Sequence, residues 1–282
     1  MSGSRIFDSL ERRLDWLARR DLQRALSTAA ALGQVRNRLS RRWPDPEQVR
    51  SLFPHLDRST AARIAWSIGG LEARSRLLVT MIQGRGLEPV RPLVRLPESW
   101  TTLRPPLILG MFHVGAIQAL GLALEQLPGP VLALRHGALF ASRPPLELAT
   151  TEGNEQSRAA LFHRALAYLG RGGFVALALD VAQGPALRVS CLGRPLMLAR
   201  GPFALARITG APLVPLVARW RSGGIEILLG ETLAASGHEE PEAWEGSLAA
   251  SAARWLESYL LASPGELGLG LLRNLLGLTG AS

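Results

Sequence analysis

The chain has 282 residues, 47% of them apolar, enough for one large α/β core or one core with a small helical annex. Its formal net charge is +9 and all 32 basic residues are arginines, which excludes Schiff-base lysine catalysis and the lysine of a P-loop. The one cysteine, Cys191, forbids an internal disulfide and makes a reducing compartment the default, and no Cys-x-x-Cys or His-Glu-x-x-His spacing leads one to expect a metal.

Residues 4–43 predict one or two amphipathic helices, with Ile6, Leu10, Leu14 and Leu17 at helical spacing and Arg12, Arg13, Arg19, Arg20 and Arg24 on other faces. Residues 1–50 carry eleven arginines against six acids, about half of the chain's positive excess. Two readings of this section stay open. It lies on an anionic lipid surface with its leucines in the acyl boundary, or it packs on the core with a solvated arginine face. Met1–Arg20 lacks an apolar signal core, and no stretch reaches the ~18 apolar residues of a membrane span. Pro44 and Pro46 end the section. A second helix is expected over 58–83, with Ile64, Ile68, Leu71, Leu78 and Ile82 inward. The proline-rich stretch 89–106 reads as a connector.

From residue 107 the pattern alternates. Strands are expected at Leu107–Phe112, Val131–Arg135, Phe174–Leu179, Leu213–Ala218 and Ile225–Leu229. Helices are expected at Gly115–Gln126, Asn154–Leu169, Gly201–Thr209 and Pro241–Leu261, and a short hairpin joins Leu187–Leu192 to Pro195–Leu198. Continuous apolar strands separated by helices imply an α/β fold. Its central sheet is mostly parallel and flanked by helices, and an N-terminal helical lead precedes it. The chain so divides into a helical region 1–88 packed on or beside the core, the connector 89–106, an α/β core 107–262 and a leucine- and glycine-rich tail 263–282. Gly268, Gly270 and Gly277 weaken helix in that tail by about 1 kcal/mol each, so it folds only against something apolar.

His113 carries the strongest chemical signal. It ends the apolar run Leu107-Ile-Leu-Gly-Met-Phe112, ahead of an expected helix beginning at Gly115 and Ala116. Ligands of open α/β sheets collect beyond the carboxyl ends of the strands, so this imidazole is expected to face a cleft as a general base. Amides at the following helix would serve a developing oxyanion. The plainer alternative is a capping or half-buried structural histidine. A base histidine needs an acceptor on its other nitrogen, and the polar residue five positions on is Gln118, an amide without charge. Asp180 ends the apolar strand Phe174–Leu179 and is the leading candidate for a compensating acid or for positioning substrate, a turn aspartate being the alternative. Arg135 ends the run Val131–Leu134 and suits a phosphate, a pantetheine arm or an acceptor head group, or else a surface acid. His55, His136, His163 and His238 lack such a setting.

His113-Val-Gly-Ala-Ile-Gln118 resembles the His-x4-acid motif of glycerolipid-type acyltransferases, with glutamine in the acid's place. More specifically, the chain resembles the late acyltransferases of lipid A biosynthesis and the related phosphatidylinositol mannoside acyltransferases. Four further blocks are similar: Ser51–Pro54 with the helix from Arg58, Leu134–Phe140, Gly172–Asp180 and Gly201–Pro215. The resemblance implies transfer of a fatty acyl group from an acyl carrier protein or coenzyme A thioester to a hydroxyl or amine of a lipid or glycolipid. It implies His113 as general base, position 118 as its orienting partner, and Arg135, Asp180 and Gly201 at the family's other positions. No cofactor beyond the acyl donor is expected. The expected location is peripheral, at the cytoplasmic face of the inner (plasma) membrane. A relative that binds lipid or acyl chains as a non-catalytic scaffold is the alternative. Nucleic acid is not an expected partner, since the arginines are dispersed, aromatic residues make up only 6% and no binding motif is present.

Overall fold

A computed structural model describes residues 13–40, 44–135, 146–150, 154–181, 184–234 and 240–278. The fold is α/β. Residues 13–20 are helical (α1), followed by α2 (Leu22–Ser40), α3 (Pro46–Leu52) and α4 (Arg58–Arg85). Asp45 and Asp57 cap α3 and α4, each accepting a backbone N–H of the first turn. The connector carries a two-residue strand, β1 (Val94–Arg95), between 3-10 turns. Then follow β2 (Leu107–Gly115), α5 (Leu120–Leu124), β3 (Val131–Arg135), β4 (Leu146–Thr150), α6 (Glu155–Gly170) and β5 (Phe174–Ala178). A hairpin of β6 (Ala186–Cys191) and β7 (Arg194–Ala199) leads to α7 (Arg200–Thr209), β8 (Leu213–Arg221) and β9 (Gly224–Leu229), and α8 (Pro241–Ala262) and α9 (Leu269–Leu275) complete the described chain.

Seven strands form one sheet in the order β1-β9-β8-β2-β5-β3-β4, parallel throughout except where β9 runs against β8. The strand β2 sits in the middle, so both its faces are covered and its first six residues are all buried. Ile108, Phe112 and Val114 point into one apolar cluster, whereas Leu107, Leu109 and Met111 point into the other. The long helix α4 serves both clusters. Its Ile64 and Ile68 join the first, and its Leu71, Leu78, Met81 and Ile82 join the second.

Two departures from the expected elements have physical causes, and the two ends of the chain settle against the core. Two strands were not expected: β1, whose two residues are too few for a period to show, and β4, and pairing with β9 and β3 makes them strands. The expected helix Gly115–Gln126 begins later, because β2 runs on to Gly115 and a 3-10 turn, Ile117–Ala119, precedes a five-residue α5. In the N-terminal section, Leu14 and Leu17 pack against the core with Ala25, Leu26 and Ala29, so described leucines assigned to a lipid boundary are turned inward. The tail finds the apolar surface it needs: Leu271, Leu272 and Leu275 are buried in the first cluster. None of the described helices is long and apolar enough to cross a membrane.

α2 and α4 are joined backbone to backbone. A Cβ on Gly33 would stand 2.3 Å from the Gly69 carbonyl oxygen, and Asn37 Nδ2 donates to the Ala65 carbonyl at 2.7 Å. Any side chain at 33 must force the helices apart. Gly33→Ala is expected to lower stability by ~1–3 kcal/mol, read from urea denaturation, with no change in secondary structure by circular dichroism.

Candidate active site

The strand register creates the site. β2 pairs with β5 from Leu107↔Phe174 to Met111↔Ala178. Two residues further along each strand, on the same face, stand His113 and Asp180. The pairing persists past the formal end of β5, because Leu179 N–H donates to the Met111 carbonyl at 2.8 Å. Residues opposite one another in adjacent strands bring their side chains into contact. Asp180 uses both carboxylate oxygens on His113. Oδ1 lies 2.8 Å from Nδ1, and Oδ2 accepts the backbone N–H of His113 at 2.9 Å.

An ionised carboxylate only accepts, so the proton of a neutral imidazole belongs on Nδ1, and Nε2 holds the basic lone pair. The Asp180 side chain is 2% exposed and the His113 side chain 40%. A buried acid behind a half-exposed imidazole is the arrangement in which the base meets solvent or substrate while the acid fixes its tautomer and stabilises its charged form. The chain reverses just beyond. Gly115 has φ 64°, and a Cβ there would stand 2.2 Å from the Ala218 carbonyl oxygen, which accepts the Ala116 N–H. Only glycine fits so close to β8.

The structure reorders the residues picked from the sequence. Gln118 is not the partner of Nδ1; Asp180 holds that position. Gln118 lies in the 3-10 turn after β2, packed beside β8 and α4, and its Oε1 is buried with no hydrogen-bond partner among the described residues. The expected amide cradle at a helix start is also corrected. The Ala116 N–H is already engaged, and α5 is a bare turn and a half. Arg135 ends β3, paired with Thr150; its backbone is described and its side chain lies outside the described parts. Gly201 lies in the first turn of α7, with open space where a Cβ would project. Among the described residues, no His, Cys, Asp and Glu group could hold a metal.

Cys191 is no candidate nucleophile, since it is fully buried and burial pushes its thiol up to about 12. Two cavities lie away from the His–Asp pair. One of about 320 Å3 is lined by Ser67, Arg74, Ser263 and Glu266 among others. Burial there raises the Glu266 carboxyl above its ordinary value, opposed by the Trp220 N–H and Arg74. The second, of about 360 Å3, is lined by Arg95, Arg219, Arg221 and Glu226 among others. Burial opposes ionisation of Glu226, but hydrogen bonds from Arg219 and Arg221 outweigh it and hold the carboxyl below its usual range.

No protein-family model matches the sequence, and no curated protein does. Among solved structures, the chain is similar to the 1-acyl-sn-glycerophosphate (LPA) acyltransferase PlsC from Thermotoga maritima. The two are 13% identical over 85% of this chain and 98% of that one, with a TM-score of 0.39. A likeness this loose assigns neither a substrate nor a role to any residue.

Gly115→Ala tests the turn that ends β2. The strained φ and the clash with Ala218 are expected to cost ~1–3 kcal/mol of stability in urea denaturation.

Proposed function

We propose that this protein is an acyltransferase in which His113 is the general base and Asp180 the acid that orients it. The observation that carries the reading is the bidentate His113–Asp180 contact at the carboxyl end of the central strand. The donor is a fatty acyl thioester of an acyl carrier protein or of coenzyme A, and the acceptor is a hydroxyl or amine of a lipid or glycolipid, of the lipid A type. In the first step, Nε2 of His113 removes the acceptor proton as the acceptor oxygen or nitrogen bonds to the thioester carbonyl carbon. The carbonyl oxygen becomes an oxyanion, and Asp180 stabilises the imidazolium so formed. The oxyanion then collapses, the carbon–sulfur bond breaks, and the leaving thiolate takes the proton from His113. The ester or amide product and a free thiol result.

Arg135 and Gly201 are the proposed contacts for the donor or acceptor head group. The arginine-rich N-terminal section is the proposed contact with an anionic membrane surface at the cytoplasmic face, and with an acidic carrier protein. What supports these roles is the sequence resemblance and the excess of arginine. The amide at position 118 favours a non-catalytic scaffold as the second reading, and the Asp180 carboxylate beside His113 supports the catalytic one.

The test is release of free thiol from acyl-coenzyme A and from acylated carrier protein in the presence of a bacterial lipid extract, with lipid products read by mass spectrometry. His113→Ala is expected to abolish transfer, and Asp180→Asn to reduce kcat by up to ~10⁴-fold. Gln118→Leu is expected to leave it within a few-fold, because Oε1 engages no hydrogen-bond partner among the described residues. Unchanged turnover in His113→Ala would sink the proposal.

A further inference from the structure

The His113–Asp180 pair is held from behind by the chain's last described helix, through one side chain. Asn274 of α9 is 5% exposed. Its Oδ1 accepts the Met197 N–H at 3.1 Å, and its Nδ2 donates to the Met197 carbonyl at 3.0 Å. The side-chain amide thus pairs with β7 as a neighbouring strand would. Nδ2 also donates to the backbone carbonyl of Asp180 at 3.2 Å. An Asn amide offers two donors and one accepting oxygen, and all three kinds of contact are made.

The same helix start touches the other member of the pair. A Cβ on Gly268 would stand 2.7 Å from the His113 carbonyl oxygen. Leu271, Leu272 and Leu275 seat the helix in the core, so Asn274 is brought to Asp180 by apolar burial 94 residues away in sequence. Asp180 has left the regular ladder of β5, which ends at Ala178. The ladder-like bonds at Leu179, to Met111 and from Ala199, fix the residue before it, and Asn274 fixes the carbonyl of Asp180 itself.

From this geometry we infer that Asn274 is a positioning residue for the His113–Asp180 pair, setting the carboxylate that orients the imidazole. It touches neither substrate nor imidazole and acts through Asp180. The inference rests on the proposed role of that pair and adds a residue to it. Removing the Nδ2 donors frees the Asp180 carbonyl, lets its carboxylate swing, and weakens the hydrogen bond to His113 Nδ1 while leaving the fold's strands in place.

The test reads that bond directly, without any substrate. In protein labelled with 15N-histidine, the Nδ1–H proton of His113 gives a downfield resonance, assigned by its loss in His113→Ala and in Asp180→Asn. Asn274→Asp keeps the size and the accepting oxygen and removes both donated bonds. The resonance is expected to shift upfield or broaden away in this variant. It is expected to stay in place in Gly33→Ala, a destabilised control that leaves His113, Asp180 and Asn274 themselves unchanged. Where acyl transfer is assayed, kcat is expected to fall by ~10²-fold with KM held. A native resonance in folded Asn274→Asp overturns the inference, as does its loss in Gly33→Ala. If Asn274→Asp does not fold, Asn274→Gln, the same amide on a longer arm, replaces it: a displaced resonance supports the role and a native one overturns it. Failure of the wild-type protein to transfer acyl groups would defeat the proposed function while leaving this spectroscopic result to stand or fall by itself.

Discussion

The contact between Asp180 and His113 ties the candidate site to the register of the central sheet. It is a cross-strand pair at the carboxyl edge of a parallel sheet, two residues beyond Met111↔Ala178. A one-residue slip of β5 against β2 would turn the carboxylate to the opposite face and leave the imidazole without it. The register is in turn pinned by burial, because the apolar side chains of β2 and of Phe174–Leu177 in β5 alternate between the two clusters. Burial also gives the acid its role. At 2% exposure, a carboxylate unpaired would carry a severe desolvation cost, and His113 supplies a hydrogen bond to each of its oxygens.

Distant segments converge on this edge of the sheet. β8 receives the turn after His113 through the Ala218 carbonyl, and the hairpin strand β7 meets Leu179 through Ala199. α9 closes the back through Asn274 and Gly268. The helical lead and the tail are thus parts of the same core as the sheet, since α4 feeds both apolar clusters and α9 completes the first. The site is supported on ordered elements on each described side, which suits chemistry that needs a fixed imidazole more than a moving one.

Much of the architecture was legible in the residues. The central strand runs were apolar along their length, and the helices between them carried their own signals, such as the capping Asn154 ahead of α6. His113 and Asp180 were each legible as polar residues ending apolar strands. Their union was legible only as one candidate, with Asp180 as a compensating acid behind His113. The residues lie 67 positions apart, and the nearer Gln118 was the natural partner on a linear reading. A five-residue spacing suits partnership only if a regular helix starts promptly after the histidine. Here β2 continues to Gly115 and the turn carries the Gln118 Oε1 into a buried place without a partner among the described residues.

The sequence by itself determined the class of fold, the buried strands, the absence of lysine chemistry and the two polar residues at strand ends. These are properties of local pattern and composition, which each segment carries within itself. The tertiary structure alone decided which acid serves the imidazole, that the leucine-rich tail closes the core, and that Asn274 reaches Asp180. Those depend on strand order and register, which arise from burying both faces of the whole sheet at once. No single segment contains that information, because an apolar strand is equally satisfied, taken alone, beside any other.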